Sequence, residues 1–374
     1  MKLGILASIF GGFGVKGYYN AQEIGLGRAL AEAGHQVTVY KLVDLKNEPP
    51  KDTAEGNLSV RYIPARNLGI HGLVDPSVLD PGLDALIFFA DTQLSVPAVD
   101  RWCRRTGVTL LPYIGVTESH SGSGWKRKLM DSLFGRNLKV FRRRSCLAKN
   151  PDIVRRLQGM GVKQVTFAPV GVDLELLNAD YASADPVSLK EKYGFAADRH
   201  VLLYIGRLED EKRPLALISM FDALYKQDSS YELLIVGRGY LYQAMMEEIA
   251  KRGLGEAVHY IERLPNKEIW QLYRMADAFV NMNDREIFGM VLLESMYYEC
   301  RVVAFHAPGP DYIIENHVSG ELVSSEEEMV RRLLTPTPEQ GPAGHRRVLE
   351  KLTWRTTAEI MANAAARELS AKKS

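Results

Sequence analysis

Short apolar runs alternate with longer amphipathic stretches along most of the chain. The chain opens with an apolar run over residues 2–10, a predicted helix over 21–34 and a second apolar run over 36–40. Residues 200–236 repeat this plan, with apolar runs at 200–205 and 231–236 and a helix predicted at 213–227 between them. Continuous apolar strands separated by helices are typical of βαβ units, whose parallel strands are covered on both faces. Further strands are predicted at 85–89, 108–114, 164–168, 278–282 and 301–305.

The pattern is interrupted between the two repeats, where residues 178–185 are polar and alanine-rich with no apolar period. A chain of 374 residues also exceeds one ordinary core and suits two domains of ~150–200 residues. We therefore predict an N-terminal domain over 1–180 and a C-terminal domain over 186–352, each a doubly wound α/β sheet. The remaining segment, 353–374, is predicted to form a helix that packs back on the N-terminal domain. Near the end of the C-terminal domain, Gly341–Gly344 is expected to loosen the chain.

Charge balance, cysteine spacing and the length of the apolar runs exclude several classes of function. The 47 Lys and Arg residues balance 46 Asp and Glu residues, so the whole chain lacks the basicity of a nucleic-acid-binding protein. The three cysteines lie far apart, which excludes a zinc quartet and indicates a reducing, cytoplasmic compartment. No apolar run approaches the ~20 residues of a membrane span, and the first run is interpreted as a buried strand because a Gly-rich turn follows it.

Three segments carry candidate chemistry. The turn Gly11–Gly14 follows the first strand, where backbone N–H groups can approach a phosphate; the alternative is simply a tight turn. Arg207 and Lys212 follow the strand at 200–205 and suit a diphosphate; the alternative is a solvated loop, since three acidic residues separate them. Glu286 and Glu294 are eight residues apart around a helix predicted to start near Gly289. There Glu294 could meet a ribose, cap its own helix or pair with Arg301.

The order of these motifs resembles the donor site of the retaining family-four glycosyltransferases, which have the two-domain GT-B fold. The resemblance covers nearly the whole chain and implies two Rossmann-like domains facing a central cleft. It rests on Arg207 with Lys212, on the E-x7-E pair Glu286 and Glu294, and on several shorter matches. These matches are Gly11–Gly12, Leu30–Val39, Pro169–Asp173, Val236–Gly239, Tyr273–Asp277 and Val318–Val323.

The resemblance also implies residue roles. Arg207 and Lys212 would hold the donor diphosphate and stabilise it as leaving group, and Glu294 would bind the nucleotide ribose. Glu286 would hold the reacting sugar. The remaining implied contacts to the nucleotide sugar are Gly11, Gly12, Gly237, Phe288, Gly289, Met290 and Val291. No metal or other cofactor is implied, because the two cations would supply the electrostatic stabilisation.

Among the positions that depart from the family pattern, two bear on the candidate site. Arg238 stands where Asp is frequent, which leaves the contacts of that loop open. Many members place a His near the reacting sugar at the end of an N-domain strand; here His120 fills that role only with a shifted register, and is otherwise a loop histidine.

We therefore predict a retaining, metal-independent glycosyltransferase of polysaccharide biosynthesis. It would move a hexose-type sugar from a nucleotide-diphosphate donor, a UDP-sugar rather than a GDP-sugar, onto a hydroxyl of a glycan or lipid-linked acceptor. The alternatives are a nucleotide-sugar epimerase of the same fold and a catalytically idle sugar-nucleotide-binding subunit.

The balanced total charge hides a basic stretch. Residues 101–170 hold 15 Lys and Arg against three Asp and Glu, and Lys126–Arg144 alone holds eight cations and one acid. Trp125, Leu129 and Leu133 would share one helix face, which predicts peripheral attachment to an anionic membrane surface, although Gly135 is expected to interrupt the helix. The alternative is a core-packed helix with solvated cations. Nucleic-acid binding is a weaker interpretation and is not predicted.

Overall fold

The computed structural model of the chain describes residues 1–8, 21–68, 71–117 and 124–373, with side chains left undescribed at 124–130 and 373. The chain divides into two compact units. Unit 1 comprises Met1–Asp173 together with Thr353–Ser374, and unit 2 comprises Leu174–Leu352. Strands and helices are numbered below along the chain.

Unit 1 is built on a mostly parallel sheet with helices along it. Its strands are β1 Lys2–Ala7, β2 Gln36–Asp44, β3 Thr53–Glu55, β4 Leu58–Leu68, β5 His71–Leu73, β6 Ala85–Phe89, β7 Thr109–Ile114, β8 Cys146–Ala148 and β9 Val165–Phe167. Its helices are α1 Gln22–Glu32, α2 Val96–Thr106, α3 Gly124–Phe141, α4 Pro151–Gly159 and α13 Trp354–Lys373.

The strand order in unit 1 is β3-β4-β2-β1-β6-β7-β8-β9, with β5 added to β4. Among the strands that the structure describes in unit 1, the pairs β3–β4 and β4–β5 are antiparallel and the others are parallel. The order reverses between β1 and β6, and ligands of doubly wound sheets bind beyond the carboxyl ends of the strands at such a switch point.

Unit 2 has a second, wholly parallel sheet. Its strands are β10 His200–Ile205, β11 Tyr231–Val236, β12 Val258–Ile261, β13 Ala278–Asn281, β14 Val302–Phe305 and β15 Glu321–Val323. Its helices are α5 Pro186–Lys192, α6 Pro214–Tyr225, α7 Tyr242–Lys251, α8 Asn266–Met275, α9 Met290–Tyr297, α10 Pro310–Ile313, α11 Glu326–Leu333 and α12 Gln340–Lys351.

The strand order in unit 2 is β12-β11-β10-β13-β14-β15, so this sheet switches direction between β10 and β13. Its core is formed by side chains such as Leu202, Leu217, Phe221, Leu233 and Val280, which the strands and the helices α6 and α7 bury together. The continuous apolar runs of the central strands thus reflect burial on both faces.

Several boundaries differ from those predicted. Residues 174–180, assigned above to the N-terminal domain, belong to unit 2, where the Asn178 amide donates to the Tyr298 hydroxyl at 3.0 Å. Gly341–Gly344 does not loosen the chain but lies in the first turns of α12, where a proline is tolerated because its missing N–H has no helical partner. Helix α3 continues through Gly135. No helix in the described part of the chain is long and apolar enough to cross a membrane.

Candidate active site

The candidate site of unit 2 lies where β10 and β13 end, at the switch point of its sheet. Strand β10 is followed by Gly206 and Arg207, and β13 is followed by Met282 and Asn283. Because both strands are parallel, the chemistry-bearing residues that follow them reach the same edge of the sheet. The site can therefore be built from the loops after these two strands.

Lys212 and Glu286 meet at this edge although they are 74 residues apart. The Lys212 ammonium donates to a Glu286 carboxylate oxygen at 2.5 Å, and both side chains are largely buried. The Asn283 amide, which is fully buried, donates to the same oxygen at 3.2 Å. Glu286 is thus oriented by a cation from one loop and an amide from the other. A carboxylate held in this way has a defined direction, which an exposed glutamate lacks.

A strained turn positions Lys212. It ends the 3-10 turn Asp210–Lys212, and the next residue, Arg213, has a left-handed backbone with φ of 53°. Helix α6 then begins at Pro214, and a proline is favoured at this first helical position because its missing N–H would have no helical partner. The buried Tyr204 hydroxyl lies 3.3 Å from both the Arg207 and the Lys212 carbonyl oxygens and can donate to either. Tyr204 therefore ties the two cation-bearing segments to the end of β10.

Arg207 is more exposed than Lys212 and has different partners. Its guanidinium pairs with Glu209 and lies 3.6 Å from a Glu211 carboxylate oxygen. The acidic residues between the two cations, which suggested a solvated loop, therefore neutralise Arg207 in this structure. An anionic ligand at this cation would have to replace these carboxylates.

Helix α9 starts beside Glu286. Its N-cap, Gly289, has φ of 99°, and a Cβ there would lie 2.9 Å from Leu292 Cδ1 and 3.3 Å from Glu286 Cγ. The first amides of a helix have no acceptor within it, and the segment Phe288–Met290 forms this end of α9. The Gly309 amide also donates to the Glu286 carbonyl oxygen at 2.9 Å, which fixes the loop from the other side.

Glu294 lies further along α9, on the same partly exposed side of this helix as Val291. The Tyr273 hydroxyl donates to its carboxylate at 3.2 Å, and burial raises the pKa of Glu294 to about 7. Arg301, the alternative partner considered above, instead donates to the Gln340 side chain and the Arg332 carbonyl oxygen. Glu294 thus carries a carboxyl group that changes charge near neutral pH.

The switch point of unit 1 carries a different set of polar groups. Gln93, after β6, accepts at its side-chain oxygen from the Ser8 hydroxyl at 3.4 Å and lies 3.3 Å from His71 Nδ1. Its carbonyl oxygen accepts from the buried Asn137 amide of α3 at 2.9 Å. The predicted site residues Gly11, Gly12 and His120 lie outside the described residues, so the structure does not place them.

Sequence reasoning missed three residues that shape the donor-side geometry: Asn283, Tyr204 and Tyr273. Each is buried, and each acts through a hydrogen bond to a predicted residue or its backbone. Tyr273 begins one of the family matches, Tyr273–Asp277, but the match gave it no role. For Asn283 and Tyr204 the sequence signal is position at a strand end, because a buried polar side chain needs a partner that the sequence does not name.

Two parallel-sheet units, each with its polar residues at a switch point, define the class of α/β proteins that bind nucleotide-type ligands beyond the strand ends. Comparison with known proteins shows which family within this class the chain resembles. Residues 188–335 match the family described as glycosyl transferases group 1. The chain is therefore similar to these glycosyltransferases over residues 188–335, and it has the GT-B fold.

Two curated relatives show the range of this group. The chain is 24% identical over 345 residues to a D-inositol 3-phosphate glycosyltransferase of Nocardiopsis dassonvillei, covering 83% of this chain and 79% of the relative. It is also 24% identical over 172 residues to the alpha-monoglucosyldiacylglycerol synthase of Acholeplasma laidlawii, covering 46% of this chain and 43% of that one.

Solved structures support the fold across the whole chain. The sucrose-phosphate synthase of Thermosynechococcus elongatus superposes with a TM-score of 0.75 at 18% identity, covering 99% of both chains. HepE of Anabaena, in complex with UDP and glucose, gives a TM-score of 0.72 at 14% identity, covering 98% of this chain and 100% of that one. At such identities the likeness shows the fold alone.

Proposed function

We propose that this glycosyltransferase moves a hexose-type sugar from a nucleotide-diphosphate donor to an acceptor hydroxyl with retention of anomeric configuration and without a metal ion. The contact between Lys212 and Glu286 carries this proposal. It joins a cation suited to a diphosphate and an oriented carboxylate suited to sugar hydroxyls at the start of α9. Sugar and leaving group would thus be bound side by side.

The proposed reaction breaks the bond between the anomeric carbon and the donor phosphate oxygen and forms a bond from that carbon to the acceptor oxygen. The acceptor proton passes to the departing phosphate, and nucleoside diphosphate leaves. Arg207, Lys212 and the amides of Phe288, Gly289 and Met290 would stabilise the charge that develops on the phosphate. Attack from the face that the phosphate leaves retains the configuration.

We infer a UDP-sugar donor in preference to a GDP-sugar. The support is that HepE, which shares the fold, was solved with UDP and glucose.

For the acceptor, the relatives' names refer to an inositol phosphate and to a glucosyldiacylglycerol. Both are hydroxyl-bearing compounds with an anionic or lipid part, which fits a glycan or lipid-linked acceptor in polysaccharide or glycolipid synthesis at the cytoplasmic side.

A donor panel tests the proposal. Purified protein is mixed with UDP- and GDP-sugars, and binding is followed by thermal shift and slow hydrolysis by release of nucleoside diphosphate. We expect stabilisation and hydrolysis with at least one UDP-sugar, unchanged by a chelator, and an anomer in the product that matches the donor when followed by NMR. Binding without any turnover, with acceptor hydroxyls supplied, would contradict the enzymatic proposal.

We also propose peripheral attachment to anionic membranes through the basic segment Lys126–Arg144. In the second half of α3 the apolar side chains Phe134, Val140 and Phe141 are buried in the core of unit 1. The expected apolar face of Trp125, Leu129 and Leu133 is not tested, because the side chains of Trp125 and Leu129 lie outside the described residues. In the second half of α3 attachment would depend on charge. Arg142 and Arg143 remain exposed, whereas Arg144 is largely buried and pairs with Asp100 at 2.7 Å.

Sedimentation with vesicles tests this attachment. Each engaged cation contributes ~1 kcal/mol near an anionic surface, so we expect salt-sensitive binding at low ionic strength. Neutralising Lys126, Arg127, Lys128, Arg142 and Arg143 should abolish it while sparing the structural Arg144. The matched control neutralises five exposed cations of unit 2: Lys226, Lys251, Lys267, Arg346 and Lys351. Equal loss in both variants, or no binding by the natural protein, would exclude a specific basic surface.

A further inference from the structure

Arg207 lies in the loop after β10, and Arg238 lies in the neighbouring loop after β11. Strands β10 and β11 pair in parallel with Ile205 opposite Val236, so the same register places Arg207 opposite Arg238. The register continues beyond the strands, because the Leu208 amide donates to the Arg238 carbonyl oxygen at 3.0 Å. Side chains at paired positions of parallel strands leave the same face of the sheet. Arg207 and Arg238 therefore leave neighbouring backbone positions just beyond the strand ends.

The backbone around Arg238 is closely packed against the Arg207 loop. A Cβ at Gly237 would lie 1.8 Å from the Gly206 carbonyl oxygen, and one at Gly239 would lie 2.2 Å from the Leu208 carbonyl oxygen. The Tyr260 hydroxyl donates to the Gly237 carbonyl oxygen at 2.9 Å. Only glycines on both sides of Arg238 allow this approach, so the main chain presents its side chain from a well-defined place.

Arg238 differs from the other cations at this edge in its partners. Arg207 pairs with Glu209 and Glu211, and Lys212 pairs with Glu286. The Arg238 side chain is exposed and, within the residues that the structure describes, has no carboxylate partner. An anion that replaces the carboxylates at Arg207 would therefore meet a second guanidinium, Arg238, whose described surroundings offer no carboxylate to displace.

From this arrangement we propose that Arg238 is a third cationic contact to the diphosphate of the nucleotide donor, beside Arg207 and Lys212. The inference rests on the proposed function and deepens it. Along the sheet edge the order is Arg238 after β11, Arg207 after β10, and Glu286 after β13. With the sugar at Glu286, Arg238 lies at the end of this row furthest from the sugar. It is a binding residue for the diphosphate and takes no part in proton transfer.

The experiment compares the affinities of UDP, UMP and uridine by calorimetry for the natural protein and for Arg238→Ala, with GDP and GMP run in parallel. A charge-assisted hydrogen bond is worth enough for about a tenfold change in affinity. We expect Arg238→Ala to weaken the binding of UDP and of UMP about tenfold or more, because both contain the α-phosphate that lies furthest from the sugar, and to leave uridine binding unchanged. Arg238→Lys should recover part of the loss, because it keeps the charge without the fork.

Arg346→Ala is the matched control, since Arg346 is an exposed arginine on α12 of the same unit. It should bind all ligands like the natural protein, and both variants should keep the natural melting temperature. Unchanged UDP affinity in Arg238→Ala overturns the inference, and so does an equal loss for uridine and UDP, which would indicate a base or ribose contact. If the natural protein binds neither UDP nor GDP, the proposed function itself fails, which is a distinguishable result.

Discussion

At the scale of single residues, Lys212 and Glu286 form an ion pair at the site, and the buried side-chain amide of Asn283 lies beside it. Lys212 neutralises Glu286, and Asn283 supports the same carboxylate oxygen. Removing one partner of such a largely buried pair leaves the other charge uncompensated, so its effects extend beyond the contact that is lost. Single substitutions should therefore be compared by their effects on kcat and on binding separately.

Replacing Lys212 with Ala should lower kcat by roughly 10²–10³, the scale for losing one preorganised group at a developing charge. Steady-state kinetics with saturating donor measure this effect. Lys226→Ala is the control, because Lys226 is an exposed lysine of unit 2 paired with Asp222 within a single turn. A near-natural kcat in Lys212→Ala would remove this residue from the mechanism.

Substitutions of Glu286 and Glu294 should affect different kinetic quantities. Glu294→Gln should mainly weaken nucleotide binding, since a ribose contact exists in the ground state and the transition state alike. Glu286→Gln should mainly lower kcat, because the oriented carboxylate would lie beside the reacting sugar. Free-nucleotide affinity and kcat, measured for both variants, check this division. Equal losses of nucleotide affinity in the two variants would contradict it.

Glu294 should also make stability depend on pH. Its pKa is raised from 4.5 to about 7 in the folded state, so folding favours the protonated form. This contribution is fully present below about pH 4.5 and is lost as the pH rises to about 7. Glu294→Gln lacks the ionising group, so its melting temperature should exceed that of the natural protein at pH 8 and approach it at pH 5. A constant difference across this range would exclude the raised pKa.

At the scale of elements, the start of α9 depends on a residue without a side chain. Gly289 combines φ of 99° with little free space, whereas Gly135 lies inside α3 with open space where a Cβ would stand. The same substitution should therefore have opposite effects at the two positions. A left-handed backbone strains any other residue, while an exposed helix interior favours alanine over glycine.

We expect Gly289→Ala to lower both stability and kcat, since the new methyl group would displace Glu286 or Leu292. Gly135→Ala should instead raise the free energy of unfolding by ~0.5–1 kcal/mol and leave kcat unchanged. Urea unfolding and kinetics of both variants measure these effects. Destabilisation by Gly135→Ala would show that α3 does not continue through this position.

At the scale of the whole molecule, unit 1 is discontinuous in sequence. The chain passes from unit 1 into unit 2 and returns to unit 1 at Thr353. Trp354 opens α13 and packs directly on Gly25 of α1, where a Cβ would lie 2.6 Å from the indole ring. The Trp354 amide donates to the Val172 carbonyl oxygen, and the Thr357 hydroxyl donates to the Pro169 carbonyl oxygen. The last helix is therefore part of the core of unit 1.

Trp354→Ala should lower the free energy of unfolding of unit 1 by about 3–5 kcal/mol, the usual loss for a buried aromatic side chain. Unit 2 should be spared, because residues 174–352 are continuous and contain none of these contacts. Denaturant unfolding followed by hydrogen exchange separates the two units. Equal loss of protection in both would show that they unfold as one cooperative body.

Local pattern predicted much of the fold. The strands at 85–89, 200–205 and 231–236 were predicted residue for residue, because each is a continuous apolar run buried on both faces. Short strands such as β3, β8 and β12 were missed, since three or four residues carry no clear period. The first helical turns of α12, with Gly341 and Pro342, were misjudged because burial outweighed local propensity.

The sequence by itself determined the alternation of strands and helices, the presence of two domains, and the spaced cations and glutamates of the donor motif. These follow from periodicity and from residue order, which are local properties. Only the tertiary structure decided that Lys212 reaches Glu286, that Asn283 orients this carboxylate, and that Arg238 stands in register with Arg207. Such pairings join residues dozens of positions apart, and they depend on strand order and register, which no local pattern specifies.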